Sequence, residues 1–297
     1  MDHAALNKHL STNAGAVTAI LDELLCETDE GQKCLMQAMR YATLGGGKRI
    51  RPFLVCASAK LFGIEEKRSL RVAAAIEMVH CYSLVHDDLP AMDDDDLRRG
   101  KPTCHVKYDE ATAILAGDAL LTRAFEVLAD EETPFDPGIR SSLVAALAKS
   151  AGCAGMVGGQ MIDLGAENAK LTLEEITQLQ RMKTGALIAV SCEMGAIMGQ
   201  ATYEEKYSLN QYANDIGLAF QIVDDLLDIT GNEVEVGKKT QKDAEAGKAT
   251  FVSLMGLDAA RQKAEELSAQ AQERINVFGS KAAPLKALAN FIVNRRS

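Results

Sequence analysis

The chain has 297 residues, with 32 Lys+Arg against 42 Asp+Glu and a formal net charge of −10. That length can bury a core without disulfides or metals, and 47% hydrophobic with 25% charged residues is a globular composition. The acidic balance argues against nucleic acid as a partner, because phosphate binding needs a basic field.

Helical signals dominate in chain order. The sequence holds 44 alanines and only 6 prolines. Val17, Ile20, Leu21, Leu24 and Leu25 follow the i, i+3, i+4, i+7, i+8 template of an apolar helix face. Ile50, Leu54 and Leu61 repeat it, as do Val72, Ile76 and Val79, then Ile139, Leu143 and Leu147. Tyr212, Ile216, Phe220, Val223 and Leu227 form the last such face. Turn chemistry separates them at Leu44 to Gly47, around Pro90, at Thr133 to Gly138 and over 231–248. No run alternates as a strand would. The expectation is an all-α single domain over 1–297, a bundle of about ten helices.

Three further expectations follow. No stretch of eighteen apolar residues predicts a membrane span. The opening MDHAALNKHL shows no secretory signal. The cysteines are 7, scattered and without a CxxC pair, which points to a reducing, cytoplasmic setting and to small buried hydrophobes. One oddity is Gly152, Gly155, Gly158 and Gly159 in a helical pattern. It reads either as close packing against a helix or ligand, or as a break between two short helices.

Two aspartate clusters carry the chemistry. The first runs His86-Asp87-Asp88-Leu89-Pro90-Ala91-Met92-Asp93-Asp94-Asp95-Asp96. Pro90 stops the preceding helix near Asp88. A bend there lets Asp87 and Asp93 approach one ion. The second is Asp224-Asp225-Leu226-Leu227-Asp228 inside an apolar helix. Asn214, Gly217, Gln221, Asp224 and Asp228 are spaced to share one polar stripe on it. Half-buried like charges are costly without a cation. Oxygen donors favour Mg²⁺ over zinc, and Mg²⁺ keeps waters and binds substrate phosphates. Two facing carboxylate groups therefore imply a polyphosphate substrate.

Cations that would complete such a site lie elsewhere. Gly45-Gly46-Gly47-Lys48-Arg49-Ile50-Arg51-Pro52 is a glycine loop leading into a helix, where backbone N–H groups and arginine suit phosphate. Arg98-Arg99 follow the first cluster, Lys183-Thr184 open an apolar run, and Lys238, Lys239, Lys242 and Lys248 stud the last loop.

GGGKRIRP, YSLVHDDLPAMDDDDLRRGKPTCH, GGQMIDL, KTGAL, FQIVDDLLD and GKKTQKDAEAGKAT occur in this order over nearly the whole chain. The sequence resembles the trans-isoprenyl diphosphate synthases, most closely those of bacterial farnesyl type. The resemblance implies an all-α fold around a deep central cavity, a homodimer, and isopentenyl and allylic diphosphates as substrates. It implies that Asp87, Asp88, Asp93, Asp224, Asp225 and Asp228 hold Mg²⁺, three ions with Mn²⁺ as a substitute, against the allylic diphosphate. Arg98, Lys183 and Lys238 would neutralise that diphosphate, and Lys248 would belong to a closing loop. Lys48, Arg51, His80 and Arg99 would bind isopentenyl diphosphate, and Thr184 and Gln221 would turn their oxygens to the allylic cation.

Product length falls to Tyr82 and Ser83, five and four residues before Asp87, roughly 6–8 Å along the helix axis. A bulky Tyr82 would be a floor and points to a fifteen-carbon product. A twenty-carbon or longer synthase is the alternative. A terpene cyclase needs a different second metal motif, and a non-catalytic helical partner would not need intact metal and basic motifs.

Overall fold

The computed structural model describes residues 1–26, 30–166, 171–230 and 249–295. Lys238, Lys239, Lys242, Lys248 and Arg296 lie outside the described residues. The helices are α1 (His3–Leu24), α2 (Lys33–Leu44), α3 (Ile50–Leu61), α4 (Glu66–Asp87), α5 (Cys104–Lys107), α6 (Glu110–Ala129) and α7 (Pro137–Ala151). They continue with α8 (Met156–Gly165), α9 (Leu173–Gln180), α10 (Ala186–Met198), α11 (Tyr203–Thr230), α12 (Phe251–Met255), α13 (Leu257–Arg274) and α14 (Ala283–Asn294). They outnumber the ten or so expected, because elements as short as α5 and α12 have no room to show a 3.6-residue period.

One correction concerns the irregular parts. A two-residue ladder, β1 (Leu97–Arg98) with β2 (Lys101–Pro102), follows the first aspartate cluster. It is too short for alternation to register, and its turn residues Arg99 and Gly100 both have positive φ, as a tight hairpin demands. An 18-residue window within residues 137–165 passes a compositional test for a membrane span, with mean hydropathy 1.2. The chain breaks within them into α7 of 15 residues and α8 of 10, each short of the ~20 that cross a bilayer.

The core has two halves. One gathers Leu21, Val72, Ile76, Val79, Leu120 and Leu143 from α1, α4, α6 and α7. The other gathers Leu209, Tyr212, Ile216, Leu267, Leu285 and Leu288 from α11, α13 and α14. Helices α3 and α10 belong to both. Val55 and Ala59 of α3 face the first half and Phe53 and Leu54 the second. Val190 and Met194 of α10 face the first, and Ile188 and Cys192 the second. A helix apolar all round is the expected central element. The crossing of α3 and α10 is close: a Cβ on Gly195 would sit 2.6 Å from the Ala59 nitrogen.

All 7 cysteines are free. Cys56, Cys81, Cys104 and Cys192 are buried as expected, whereas Cys26, Cys34 and Cys153 are exposed.

Candidate active site

The first aspartate cluster ends α4. Asp88 caps the helix, and the chain folds back over its own last turn. The Asp93 N–H donates to the Asp87 carbonyl at 2.8 Å, and the Asp95 N–H to the Asp88 carbonyl at 3.2 Å. Asp94 takes a positive φ to make the reversal. The bend therefore returns Asp93 to Asp87, as the position of Pro90 predicts. Burial, then Asp93 and Asp88, push the Asp87 carboxyl up to about 6, with Lys183 and Arg98 opposing. An under-compensated oxygen donor of this kind fits a hard divalent cation.

The β1–β2 hairpin aims two cations from this point. Arg98 grips Asp88 with Nε at 2.7 and 2.9 Å and Nη2 at 2.5 Å. Arg99 turns the other way and bonds the Gly46 carbonyl. Its guanidinium lies so near Gly47 that an added Cβ there would stand 2.7 Å from Nη1, and Gly47 has φ +126°. The glycine loop and the first aspartate segment are thus one structure.

The three basic residues after that loop separate. Arg49 is buried and pairs with Glu77 at 2.5 Å while donating to the Thr43 carbonyl. Arg51 is half-buried near His80, and its enclosed Nε has no hydrogen-bond partner within the protein. Lys48 is exposed over the Phe291 ring at 5.6 Å. Although the side chain as a whole is exposed, partial desolvation of its ammonium and the nearby Arg295 lower its pKa, with Asp224 opposing. Burial, then the Arg51, Arg99, Arg98 and Arg49 charges, hold the His80 imidazole well below its usual range, so it is neutral.

Lys183 and Thr184 stand in a π-helical turn, Arg181–Gly185. Such turns recur at functional sites. Both readings of the glycine run are realised around it. Gly152 caps α7 and Gly155 begins α8, which is the break. Gly159 packs α8 on the π turn, since its Cβ would meet the Lys183 nitrogen at 2.3 Å. On the far side Gly217 of α11 lies against Gly185, with 3.4 Å between an added Cβ and the Gly185 Cα. Lys183 Nζ reaches Asp163 of α8 at 2.6 Å.

The second aspartate cluster connects to the same turn. Thr184 Oγ1 donates to Gln221 Oε1 at 3.2 Å, and Gln221 Nε2 donates to Asp225 at 3.0 Å. The Phe251 N–H of α12 holds the other Asp225 oxygen at 2.8 Å. Asp228 is buried. Asp224 pairs with Arg295 at 2.6 Å, and that guanidinium lies 3.8 Å over the Phe220 ring. Among the described residues, no three His, Cys, Asp or Glu side chains are grouped so as to hold an ion by themselves.

Helices α3, α4 and α8, with the π turn, line an open cavity of about 440 Å³. Asp87, Lys183 and Thr184 line it, with Arg51, His80, Tyr82 and Ser83. Tyr82 is 5% exposed, and burial followed by Asp87 pushes its hydroxyl up to about 12. Of the expected site residues, Lys48, Arg98, Arg99, Gln221 and the remaining aspartates do not line this cavity.

The sequence reading passed over several groups at the site. Gln160 lines the cavity, and neither of its buried amide atoms has a partner within the protein. The spacing of Gln160 and Asp163 in GGQMIDL puts both on one face of α8, a signal that was available. His86 also lines the cavity, but its Nε2 is turned to the Ile114 carbonyl at 3.0 Å, away from a metal role. Glu77 comes from a distant turn and had no local signal, whereas Arg295 and Arg296 stand out as a basic end of the chain without an assignable role.

Comparison with known proteins gives a consistent answer. The family model described as polyprenyl synthetase matches residues 32–283. The chain is 46% identical over 266 residues to the farnesyl diphosphate synthase of Escherichia coli (strain K12), covering 88% of this chain and 89% of that protein. It is 43% identical to the chloroplastic geranylgeranyl pyrophosphate synthase of Capsicum annuum, covering 97% of this chain and 78% of that one. The crystal structure of an FPP/GFPP synthase from Zymomonas mobilis superposes with a TM-score of 0.89 at 46% identity, covering 98% of this chain and 99% of that one. A match of this extent, running through both aspartate segments and the helices that carry them, makes the chain a member of the polyprenyl synthetase family of prenyltransferases.

Proposed function

We propose that the chain, acting as one domain over 1–297, is a farnesyl diphosphate synthase. It joins isopentenyl diphosphate head-to-tail to dimethylallyl and then geranyl diphosphate. The observation that carries this reading is the polarity of the cavity, with Asp87, Lys183 and Thr184 beside one another and buried Tyr82 further along α4. Relatives bearing farnesyl and geranylgeranyl names match at 46% and 43% identity, so identity alone does not choose the product. The floor argument does, and it favours fifteen carbons.

Asp87, Asp88, Asp93, Asp224, Asp225 and Asp228 are the donors for Mg²⁺, three ions with Mn²⁺ as a substitute. When bound, the metal would neutralise charge on the leaving diphosphate. Arg98, Lys183 and Lys238 supply positive charge to the same group, and Lys248 belongs to a closing loop. The allylic C–O bond breaks with its electron pair leaving on the diphosphate. Thr184 and Gln221 turn oxygens toward the resulting cation, linked as they are at 3.2 Å. Lys48, Arg51, Arg99 and neutral His80 hold isopentenyl diphosphate so that its double bond attacks the cation. A proton is then lost to the released diphosphate. Catalysis by this route is electrostatic preorganisation and orientation.

A homodimer is supported by apolar Ile114 and Leu115 exposed on α6, 44% and 57% respectively. The setting is proposed as cytoplasmic. Incubation with Mg²⁺, isopentenyl and dimethylallyl diphosphates, followed by chromatography, tests the reading. A fifteen-carbon product is expected, and Tyr82→Ala should lengthen it. No consumption of isopentenyl diphosphate would reject the synthase, and a twenty-carbon product would favour the alternative.

A further inference from the structure

The wall of the cavity nearest α6 is built by a residue to which no role has yet been given. His86 stands one helical turn after Tyr82, and the two rings meet edge to face at 5.7 Å and 78°. The far edge of the imidazole enters a notch in α6, where Nε2 meets the Ile114 carbonyl at 3.0 Å. Gly117 makes that notch. A Cβ there would stand 2.0 Å from Nε2, 2.4 Å from Cδ2 and 2.8 Å from Cε1. No rotation of the ring in place escapes three such contacts. Gly117 is fully enclosed in the middle of a helix, where glycine costs up to ~1 kcal/mol against alanine, so its helix propensity does not explain it.

We propose that His86, docked in the Gly117 notch, is a specificity-determining residue that sets the width of the prenyl-tail cavity beside Tyr82. The inference rests on the prenyl transfer proposed above. Tyr82 closes the cavity along the axis of α4, whereas His86 bounds it from the side, so the two limit the tail in different directions. With the notch filled, the ring has only the Tyr82 side and the cavity to enter. With the ring removed, the tail gains the space between α4 and α6.

Product distributions of wild type, His86→Ala, His86→Leu, Gly117→Ala and the double variant Gly117→Ala/His86→Ala test this with dimethylallyl and isopentenyl diphosphates. His86→Ala should raise the ratio of twenty- to fifteen-carbon product by about tenfold or more, the discrimination that a small change of pocket volume ordinarily carries. His86→Leu keeps the bulk and should keep the fifteen-carbon product. Gly117→Ala should stop more chains at ten carbons, and removing the ring in the double variant should reverse that. An unchanged ratio in His86→Ala overturns the proposal, and so does a double variant that still stops at ten carbons. If Gly117→Ala does not fold, the two His86 variants decide alone, since neither adds volume at α6. A wild type that forms no prenyl diphosphate would instead reject the synthase reading itself.

Discussion

Replacing Glu77 by leucine should be among the most damaging single changes outside the cavity. Its carboxylate meets Arg49 Nη1 at 2.5 Å, and the two side chains are 2% and 1% exposed. Burial alone would lower the Arg49 pKa, but Glu77 and Cys81 more than offset it, so the guanidinium stays charged. Removing Glu77 leaves that charge enclosed, while its bond to the Thr43 carbonyl remains. Breaking a buried pair from one side costs about 3–5 kcal/mol. For a chain of 297 residues that is a fall of ~5–8 °C in melting temperature. Arg49 also holds a left-handed φ of 49° at the start of α3, between Lys48 and Arg51. Releasing it should therefore raise the KM for isopentenyl diphosphate as well. The companion variant Arg49→Met/Glu77→Leu removes both charges and should recover most of the lost stability. Urea unfolding of the wild type, Glu77→Leu, Arg49→Met and the double variant closes a double-mutant cycle. The reasoning fails if Glu77→Leu costs under about 1 kcal/mol, or if the double variant loses the sum of the singles.

Four other outcomes are expected. Gly159→Ala should cost about 1–3 kcal/mol of stability by overpacking. It should also lower kcat by on the order of a hundredfold, because its Cβ would displace the Lys183 backbone; equal rates in steady-state assays would contradict the packing argument. Thr184→Val, close in size but without the hydroxyl donated to Gln221, should lower kcat more than it raises KM for the allylic substrate. Asp87, pushed up to about 6, should make Mg²⁺ affinity fall about tenfold per pH unit below 6 and level off above 7, measured by calorimetric titration. The sign for folding is the reverse: a carboxyl raised above its unfolded value favours the folded chain at low pH, and that contribution is lost as pH rises through about 6. Chelator-treated Asp87→Asn should lose this pH dependence in thermal melts.

The helices that carry the site were legible because their apolar faces repeat at helical spacing, and the bend at Pro90 because proline leaves α4 no way to continue. Asp87 with Asp93, and Gln221 with the second cluster, followed from local geometry. What escaped was whatever depends on a second element. Arg49 looks like Lys48 and Arg51 in the sequence, yet only its partner Glu77, a helix away, makes it a support instead of a substrate ligand. Arg295 is one of the last residues, and nothing local announces that it reaches Asp224. The π turn at Lys183 has no signature of its own, since it is a single widened turn of i→i+5 bonds and five residues are too few to show a period. The glycine run was visible as an anomaly, but its two uses could be separated only once α8 and the π turn were seen side by side.

The contact of Gly159 and Gly217 with the π turn has a consequence for precision. A joint between bare main chains has no rotamers to choose among, and it loses no side-chain entropy on forming. Lys183 and Thr184 therefore rest on a bearing whose tolerance is set by peptide geometry. Warming should loosen the side chains around it before it loosens the bearing. Substitutions elsewhere on α8 and α11 can accumulate without moving those two residues, whereas a single methyl group at Gly159 cannot. The π turn is thus decoupled from most of the variation that its neighbouring helices can carry.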